Sequence, residues 1–335
     1  VHQVKAGTPK PMIYYTHQVP AEGPRLLRPY FKVIVNSSPQ PPDLAQILAA
    51  ARDAYGLCIS VRDYIDEWLL AQMPKLRIIA SFGRGSDNVD SEAAARKGIV
   101  VAQNDGAIMS EPVADLAWSL LLGLARKIVS GDQAVRSGLF SGWSPSPHYG
   151  LGVSGKSLGI IGMGQLGKAV ASRAAGFKLR LYYAQPDRLP SGQESLLGLT
   201  HLSLQALLRE ADFICVCCPL TKGTVHLIGS KELRMMKPAA ILVNPSRGSV
   251  VDEEAVVAAL ANNRIGGYGA DVFEMEDYCP GKHSAAISPQ LLKMQDRTLF
   301  APHAGTAIAE TRVLMAQKQA EAVLNGYCRL NPGSN

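Results

Sequence analysis

A chain of 335 residues with 47% hydrophobic and 6% aromatic content is too long for one ordinary core and suits two domains of aliphatic strands and Ala-rich helices. Its net charge of +6 is dispersed, without the basic stripe of a nucleic-acid-binding protein, and leaves a mild attraction for small anions. No apolar run reaches the roughly 18 residues of a membrane span, and the polar opening VHQVKAGTPKP lacks the basic-then-apolar pattern of a secretory signal, so neither membrane nor nucleic acid is an expected partner.

From about residue 12, short β-rich runs alternate with helical patterns. MIYY, FKVIVN, GLCIS, LRIIASFG and IVVAQN read as strands. PPDLAQILAAARDA, YIDEWLLAQM and SEAAARKG read as helices between some of them. Such alternation predicts a parallel sheet with helices on its faces. A strongly apolar helix then follows Pro112 through ADLAWSLLLGLARK to Lys127, suited to a subunit interface or an interdomain core. After the loop SGWSPSPHYGLGVSG the alternation restarts near Ser154, with SLGIIGMG, LRLYYA, DFICVCC, AAILVN, IGGYGADV and TLFAPH as strands. Cys215, Cys217 and Cys218 read as small buried hydrophobes. With Cys58, Cys279 and Cys328 they form no zinc-ligand spacing, so no metal is expected, and the thiol pattern points to a reduced, cytoplasmic setting. The loop from Phe273 to Asp296 is long for a compact domain, which marks it as functional or mobile. The last helical stretch, Ala307 to Asn325, is expected to return to the first unit and make that domain discontinuous.

The strongest local signal is Gly162-Met163-Gly164-Gln165-Leu166-Gly167, after an apolar strand and at the start of a helical run. Gly162 permits the tight turn, Gly164 lets backbone approach a pyrophosphate, and Gly167 allows close helix–strand packing. Amide groups at the helix start then hold phosphate charge. The next strand ends in Gln185, Pro186, Asp187 and Arg188, where an acidic residue would bind the ribose 2′-hydroxyl of NAD. A neutral Gln185 does not repel a 2′-phosphate, and Arg188 is positioned to pair with one. NADP is therefore expected to be tolerated. Asp187 remains an alternative ribose ligand, and the preference between NAD and NADP stays open.

Three later segments carry chemistry. Arg247 lies at the end of the strand AAILVN, where ligands of open α/β sheets bind, and its planar fork suits a carboxylate or phosphorus oxyanion. Glu276 follows the strand IGGYGADV, which contains Asp271, and His303 ends the strand TLFAPH. A carboxylate that orients an imidazole makes a general acid/base unit. Alone, each residue has an ordinary structural reading; their succession at strand ends, downstream of a dinucleotide fingerprint, points to catalysis.

These segments, GMGQLG, NPSRGSVVD, GADVFEMED and APHAG, resemble the D-isomer-specific 2-hydroxyacid dehydrogenase family in type and order. The resemblance spans nearly the whole chain and is weakest before about residue 75. It implies an α/β protein of two doubly wound parallel-sheet domains. These are a flavodoxin-like substrate domain (1–108 and 304–335) and a Rossmann NAD(P)-binding domain (109–303). It implies that Arg247 binds and orients substrate, that His303 is the acid/base and that Glu276 pairs with it. It places Asp271 at the nicotinamide carboxamide, Ser110, Pro219 and Gly305 at the coenzyme, and Gly85 and Thr306 at the substrate. It also implies a homodimer through the helix after Pro112.

Within the family, VRSGLFSGW, NPSRGSVVDE and GGYGADVFEMEDY are most similar to the phosphite dehydrogenase subgroup. That likeness adds Trp143 and Tyr149 as walls of the substrate site and Arg84 as a second cation for a strongly charged oxyanion. The leading expectation is oxidation of phosphite to phosphate. Arg84 and Arg247 would hold the dianion, His303 would take a proton from the attacking water, and hydride would pass to the nicotinamide. The alternative is a glyoxylate or hydroxypyruvate reductase on the same scaffold. A third reading, a corepressor-type dinucleotide-binding protein, shares the fold without the catalysis.

Overall fold

Five short strands, mostly Ile, Val, Leu and Tyr, build the first sheet. They are β1 (Met12–Tyr15), β2 (Lys32–Val35), β3 (Gly56–Ile59), β4 (Ile78–Ser81) and β5 (Val100–Ala102). All pair in parallel, in the order β2-β1-β3-β4-β5. That is the order of a flavodoxin-like doubly wound sheet. The structure is a computed structural model that describes residues 9–85, 87–145, 149–277 and 286–332. β3 and β4 are buried along their whole length, as expected where helices cover both faces of a parallel sheet.

Seven further strands form the second sheet: β6 (Ser157–Ile161), β7 (Arg180–Ala184), β8 (Leu199–His201), β9 (Phe213–Val216), β10 (Ile241–Asn244), β11 (Gly267–Ala270) and β12 (Thr298–Phe300). Their order is β12-β11-β10-β9-β6-β7-β8, again all parallel. The chain enters at β6, winds out to β8, and returns to β9 on the other side of β6. The crevice beyond the carboxyl ends of β6 and β9 is therefore the switch point at which such sheets bind ligands.

Contacts divide the chain into two units, Val1–Met109 with Ala307–Asn335, and Ser110–Thr306. The crossings fall later than the sequence boundaries of 108 and 303. Ile108 and Met109 pack on Phe82, Met315 and Ala316, which keeps them in the first unit. Ala304 and Gly305 donate their N–H groups to Asp271 at 2.6 and 2.9 Å, which keeps them in the second. The helix Ala309–Leu330 packs on β4 and on the helix Glu22–Leu27. A Cβ on Gly23 would stand 2.5 Å from the Ala316 carbonyl oxygen, so these two helices meet at their backbones.

Some elements differ from the sequence reading. The apolar helix runs from Gly106 to Ala125 and contains Pro112 instead of starting after it. Packing of Ile108 and Met109 and an Asp105 cap on the Ala107 N–H at 2.9 Å extend it backward despite the hydrogen bond that a proline removes. By length and composition this helix is long and apolar enough to cross a membrane, contrary to the count of apolar runs. Its face Ala114, Ala117, Trp118 and Leu121 instead packs in the core of the second unit, where Trp118 Nε1 donates to the Val170 carbonyl at 3.0 Å. The strand β8 and the helices Glu22–Leu27 and Ile128–Arg136 are too short or too polar to stand out as patterns.

Candidate active site

The Gly162–Gly167 turn joins β6 to the helix Gln165–Ala174. Gly162 has φ +92, and a Cβ there would stand 2.7 Å from the Cys218 nitrogen, just after β9. A Cβ on Gly167 would run into the Gly162 carbonyl oxygen. Around a Cβ on Gly164, by contrast, no heavy atom lies within 4 Å, and Gly164 is the helix N-cap with no side-chain cap. Tight packing on two sides and open space over the middle glycine fit a pyrophosphate on the helix amides. Gln165 is exposed and Leu166 partly packed at that helix start. The Met163 side chain is corrected from a cofactor contact to a core residue, 2% exposed, because it packs into the apolar core of the second unit.

Gln185 directly follows β7 beside this turn. Its Oε1 accepts the Met163 N–H at 3.0 Å, and its Nε2 donates to the Asp187 carbonyl at 2.6 Å. Arg188, expected to meet a 2′-phosphate, is instead paired with Glu194, with Nη2 to Oε2 at 2.8 Å and Nε to Oε1 at 3.0 Å. Glu194 also accepts the Tyr183 hydroxyl at 2.6 Å. The hydrogen bonds from Arg188 and then Tyr183 hold this carboxyl at about 2. Its constant charge orients Arg188, whose side chain stays 68% exposed.

Asp271, after β11, builds the turn that carries the histidine. Its backbone oxygen accepts the His303 N–H at 2.9 Å, and its two carboxylate oxygens take the Ala304 and Gly305 amides. Burial pushes its carboxyl above the ordinary value despite both amides. Turn-building is the work the fold shows for Asp271, and each of its oxygens keeps a second acceptor site for the carboxamide contact expected of it. His303 is held at φ +53, a left-handed conformation that costs a non-glycine residue about 1–3 kcal/mol. His303 Nδ1 lies 2.7 Å from Glu276 Oε2, while Glu276 Oε1 accepts the Phe273 N–H at 2.9 Å. Thr306 is buried, 8% exposed, and Ser110 and Pro219 lie on partly or fully exposed segments of the same unit.

Arg247 follows β10. Asn244 Nδ2 donates to its carbonyl at 2.8 Å, and its own Nη1 donates to the Ser246 carbonyl at 3.0 Å. Gly248 lies flush against the turn before Glu276, since a Cβ there would run into the Phe273 carbonyl carbon and the Glu274 nitrogen. Arg247 and Glu276 thus come from adjoining loops at neighbouring strand ends, as their positions in sequence led one to expect.

Other expected residues lie elsewhere. Trp143 is 87% and Tyr149 74% exposed, the latter with its hydroxyl on the Pro145 carbonyl at 2.5 Å. Both project from a loop, so among the described residues they are not packed into a core and their side chains remain open to a ligand. Arg84 and Gly85 lie in the first unit, on the turn after β4. Asn104 pins that turn: its N–H donates to the Gly83 carbonyl at 3.1 Å, and its Nδ2 to the Phe82 and Met315 carbonyls at 3.0 and 2.9 Å. Asn104 was missed, although its place at the end of the run IVVAQN was a usable signal. In the loop Phe273–Asp296, the turn Glu274–Glu276 and the helix Pro289–Lys293 are ordered elements; residues 278–285, with Cys279, lie outside the described residues.

Glu253 was also missed. It is 4% exposed at the start of the helix Glu253–Ala261. Burial, and beyond it the charges of Glu274, Asp277 and Glu276, push its carboxyl up to about 7. A carboxyl whose folded pKa exceeds its unfolded value favours the native state at low pH. That contribution is lost as pH rises from about 4.5 through about 7, by up to about 3 kcal/mol. Glu253→Gln should therefore melt higher than the parent protein at pH 8, by several degrees, and close to it at pH 4.5. Paired calorimetric scans at the two pH values check this, and a difference independent of pH would contradict it.

Residues 118–305 match the family profile described as D-isomer specific 2-hydroxyacid dehydrogenase, NAD binding domain. A glyoxylate reductase of Thermococcus litoralis is 40% identical over 319 residues, covering 94% of this chain and 93% of its own. One of Aeropyrum pernix is 40% identical over 316 residues, covering 93% and 91%. Among solved structures, an NADPH-dependent glyoxylate/hydroxypyruvate reductase of Sinorhizobium meliloti, in complex with NADP and malonate, superposes with a TM-score of 0.81. It is 28% identical and covers 97% of this chain and 95% of that one.

Proposed function

The chain belongs to the D-isomer specific 2-hydroxyacid dehydrogenase family, and from that premise we propose that it reduces a small 2-ketoacid, glyoxylate or hydroxypyruvate, at the expense of NAD(P)H. The observation that carries this reading is the His303–Glu276 pair at 2.7 Å, next to an arginine-bearing loop and on the same unit as the dinucleotide cradle. The names of the relatives support the ketoacid over the phosphite expected from the sequence, which becomes the second reading. That second reading keeps one specific support, the cation Arg84 on the turn after β4.

When bound, the reduced nicotinamide supplies the hydride that reaches the carbonyl carbon. Arg247 binds the ketoacid carboxylate through its planar fork and so fixes which face of the carbonyl is presented. Glu276 holds Nδ1 of His303, which fixes the ring and its tautomer and leaves Nε2 to donate a proton to the carbonyl oxygen. Carbonyl carbon gains hydride, oxygen gains the proton, and a 2-hydroxyacid results. Measuring NAD(P)H consumption with glyoxylate and hydroxypyruvate, against NAD(P)H formation with phosphite, tests the reading. Turnover of phosphite alone would replace it with the second, and tight coenzyme binding with no turnover of any of them would favour the corepressor-type reading.

Tolerance of NADP follows from the neutral Gln185, with the exposed Arg188 guanidinium in the same loop. Gln185→Glu would keep an acceptor for the Met163 N–H and set a negative charge beside the ribose. It is expected to move the kcat/KM ratio toward NAD by about tenfold or more. An unchanged ratio from paired NADH and NADPH kinetics would refute the role. We also infer a homodimer through the segment after the long apolar helix, where Ile128, Val135, Leu139 and Phe140 are all more than half exposed. Patches of this kind mark association surfaces. Light scattering should give twice the chain mass.

A further inference from the structure

Behind the His303–Glu276 pair, the segment that follows Arg247 is fastened to the turn that carries Glu276. Gly248 abuts the Phe273–Glu274 peptide. One residue on, the Ser249 N–H donates to Asp277 Oδ2 at 2.7 Å. At the start of the next helix the fastening becomes reciprocal. The Glu253 N–H donates to Glu274 Oε1 at 2.8 Å, and the Glu274 N–H donates to Glu253 Oε1 at 2.8 Å. His226, on the segment after β9, closes the cluster, with Nε2 3.2 Å from Glu274 Oε1 and its own N–H on the Ser249 carbonyl at 2.8 Å.

A buried carboxylate beside a partly buried one is repelled by it and loses hydration. A helix start needs only one exposed acid to satisfy its first amides, so helix capping does not account for Glu253. The reciprocal bonds do something that capping does not. Each side chain spans to the other's backbone, so sliding or opening of one loop against the other breaks both bonds. Glu274 and Glu276 belong to one short 3₁₀ turn, and a shift of its first residue is passed on to its last.

We propose that Glu253 is a positioning residue: its reciprocal clamp with Glu274 fixes the turn Glu274–Glu276 against the Arg247 loop and so holds Glu276 Oε2 on His303 Nδ1. Its kinetic consequence rests on the reductase reading above. With the full-length protein, NADPH and glyoxylate, Glu253→Ala should lower kcat by about tenfold or more while the KM for NADPH stays within about twofold. Glu253→Gln, whose amide oxygen still accepts the Glu274 N–H, should stay within about threefold of the parent kcat. In a Glu276→Ala background, adding Glu253→Ala should change kcat by less than about twofold, because the route through Glu276 is already cut.

Parent-like kcat in Glu253→Ala, a loss in Glu253→Gln as large as in Glu253→Ala, or full multiplication of the Glu276→Ala defect would each overturn the proposal. Should Glu253→Ala fail to fold, Glu253→Asp keeps the charge and shortens the arm. It should show the same fall, and a parent-like kcat would refute the clamp. The His303 ring proton resonances give a reading without turnover: displaced in Glu253→Ala or Glu253→Asp, restored in Glu253→Gln. If the parent protein reduces no ketoacid, the reductase reading fails, and these resonances alone decide the clamp; unchanged positions would sink it.

Discussion

Replacing His303 with Ala is expected to cut kcat for ketoacid reduction by about a thousandfold, with coenzyme binding preserved. General acid catalysis by a positioned side chain contributes about 10²–10⁴ in rate. Here the ring is oriented through Nδ1 by Glu276 at 2.7 Å, so the whole contribution falls on one imidazole. The substitution isolates that contribution, because the turn itself is built from backbone. The residue 303 N–H still reaches the Asp271 carbonyl, and Asp271 still holds the amides of Ala304 and Gly305. Fluorescence titration with NADPH should give a Kd within a few-fold of the parent, while stopped assays give the loss in kcat. A kcat within about threefold of the parent would remove His303 from the chemistry.

Arg247→Ala should lower kcat/KM for the ketoacid by about 10²–10³, or about 3–4 kcal/mol, with KM raised and kcat reduced together. The guanidinium offers two parallel charge-assisted bonds to a carboxylate, and these hold the carbonyl in line as well as binding the molecule. The backbone around it survives truncation, since residue 247 is extended at φ −143 and Asn244 Nδ2 donates to its carbonyl. Arg247→Lys should recover only part of the loss, because an ammonium is a point charge without the fork. Near-normal kinetics in Arg247→Ala would show that the carboxylate is bound elsewhere, with Arg84 the first residue to examine.

Several residues read from sequence changed their work on folding. Arg188 had the right charge in the right loop, but Glu194, six residues on, claims it at 2.8 Å. Met163 lies within the fingerprint yet faces the core. Asp271 follows β11, and its oxygens take on the histidine turn, a task its local sequence did not announce. Glu253 drew no notice in the sequence, where it is one more acid at the first turn of a helix. Its burial and its exchange with Glu274 depend on a segment 21 residues away, which no local pattern reveals. Trp143 and Tyr149, which the family resemblance assigned to a substrate wall, are exposed on their loop.

Local chemistry alone determined the alternation of aliphatic strands with helices, the glycine turn after β6, and the placing of Arg247, Glu276 and His303 at successive strand ends. Those features depend on hydrophobic periodicity and on backbone shapes that only glycine allows, both of which are written into neighbouring residues. Tertiary structure decided which charged groups remain available to a ligand and which are consumed in pairs, and it moved the start of the Gly106–Ala125 helix back past Pro112. The physical reason is range. Burial and the partners of a carboxylate or guanidinium are set by residues distant along the chain, so their availability exists only once the loops have met.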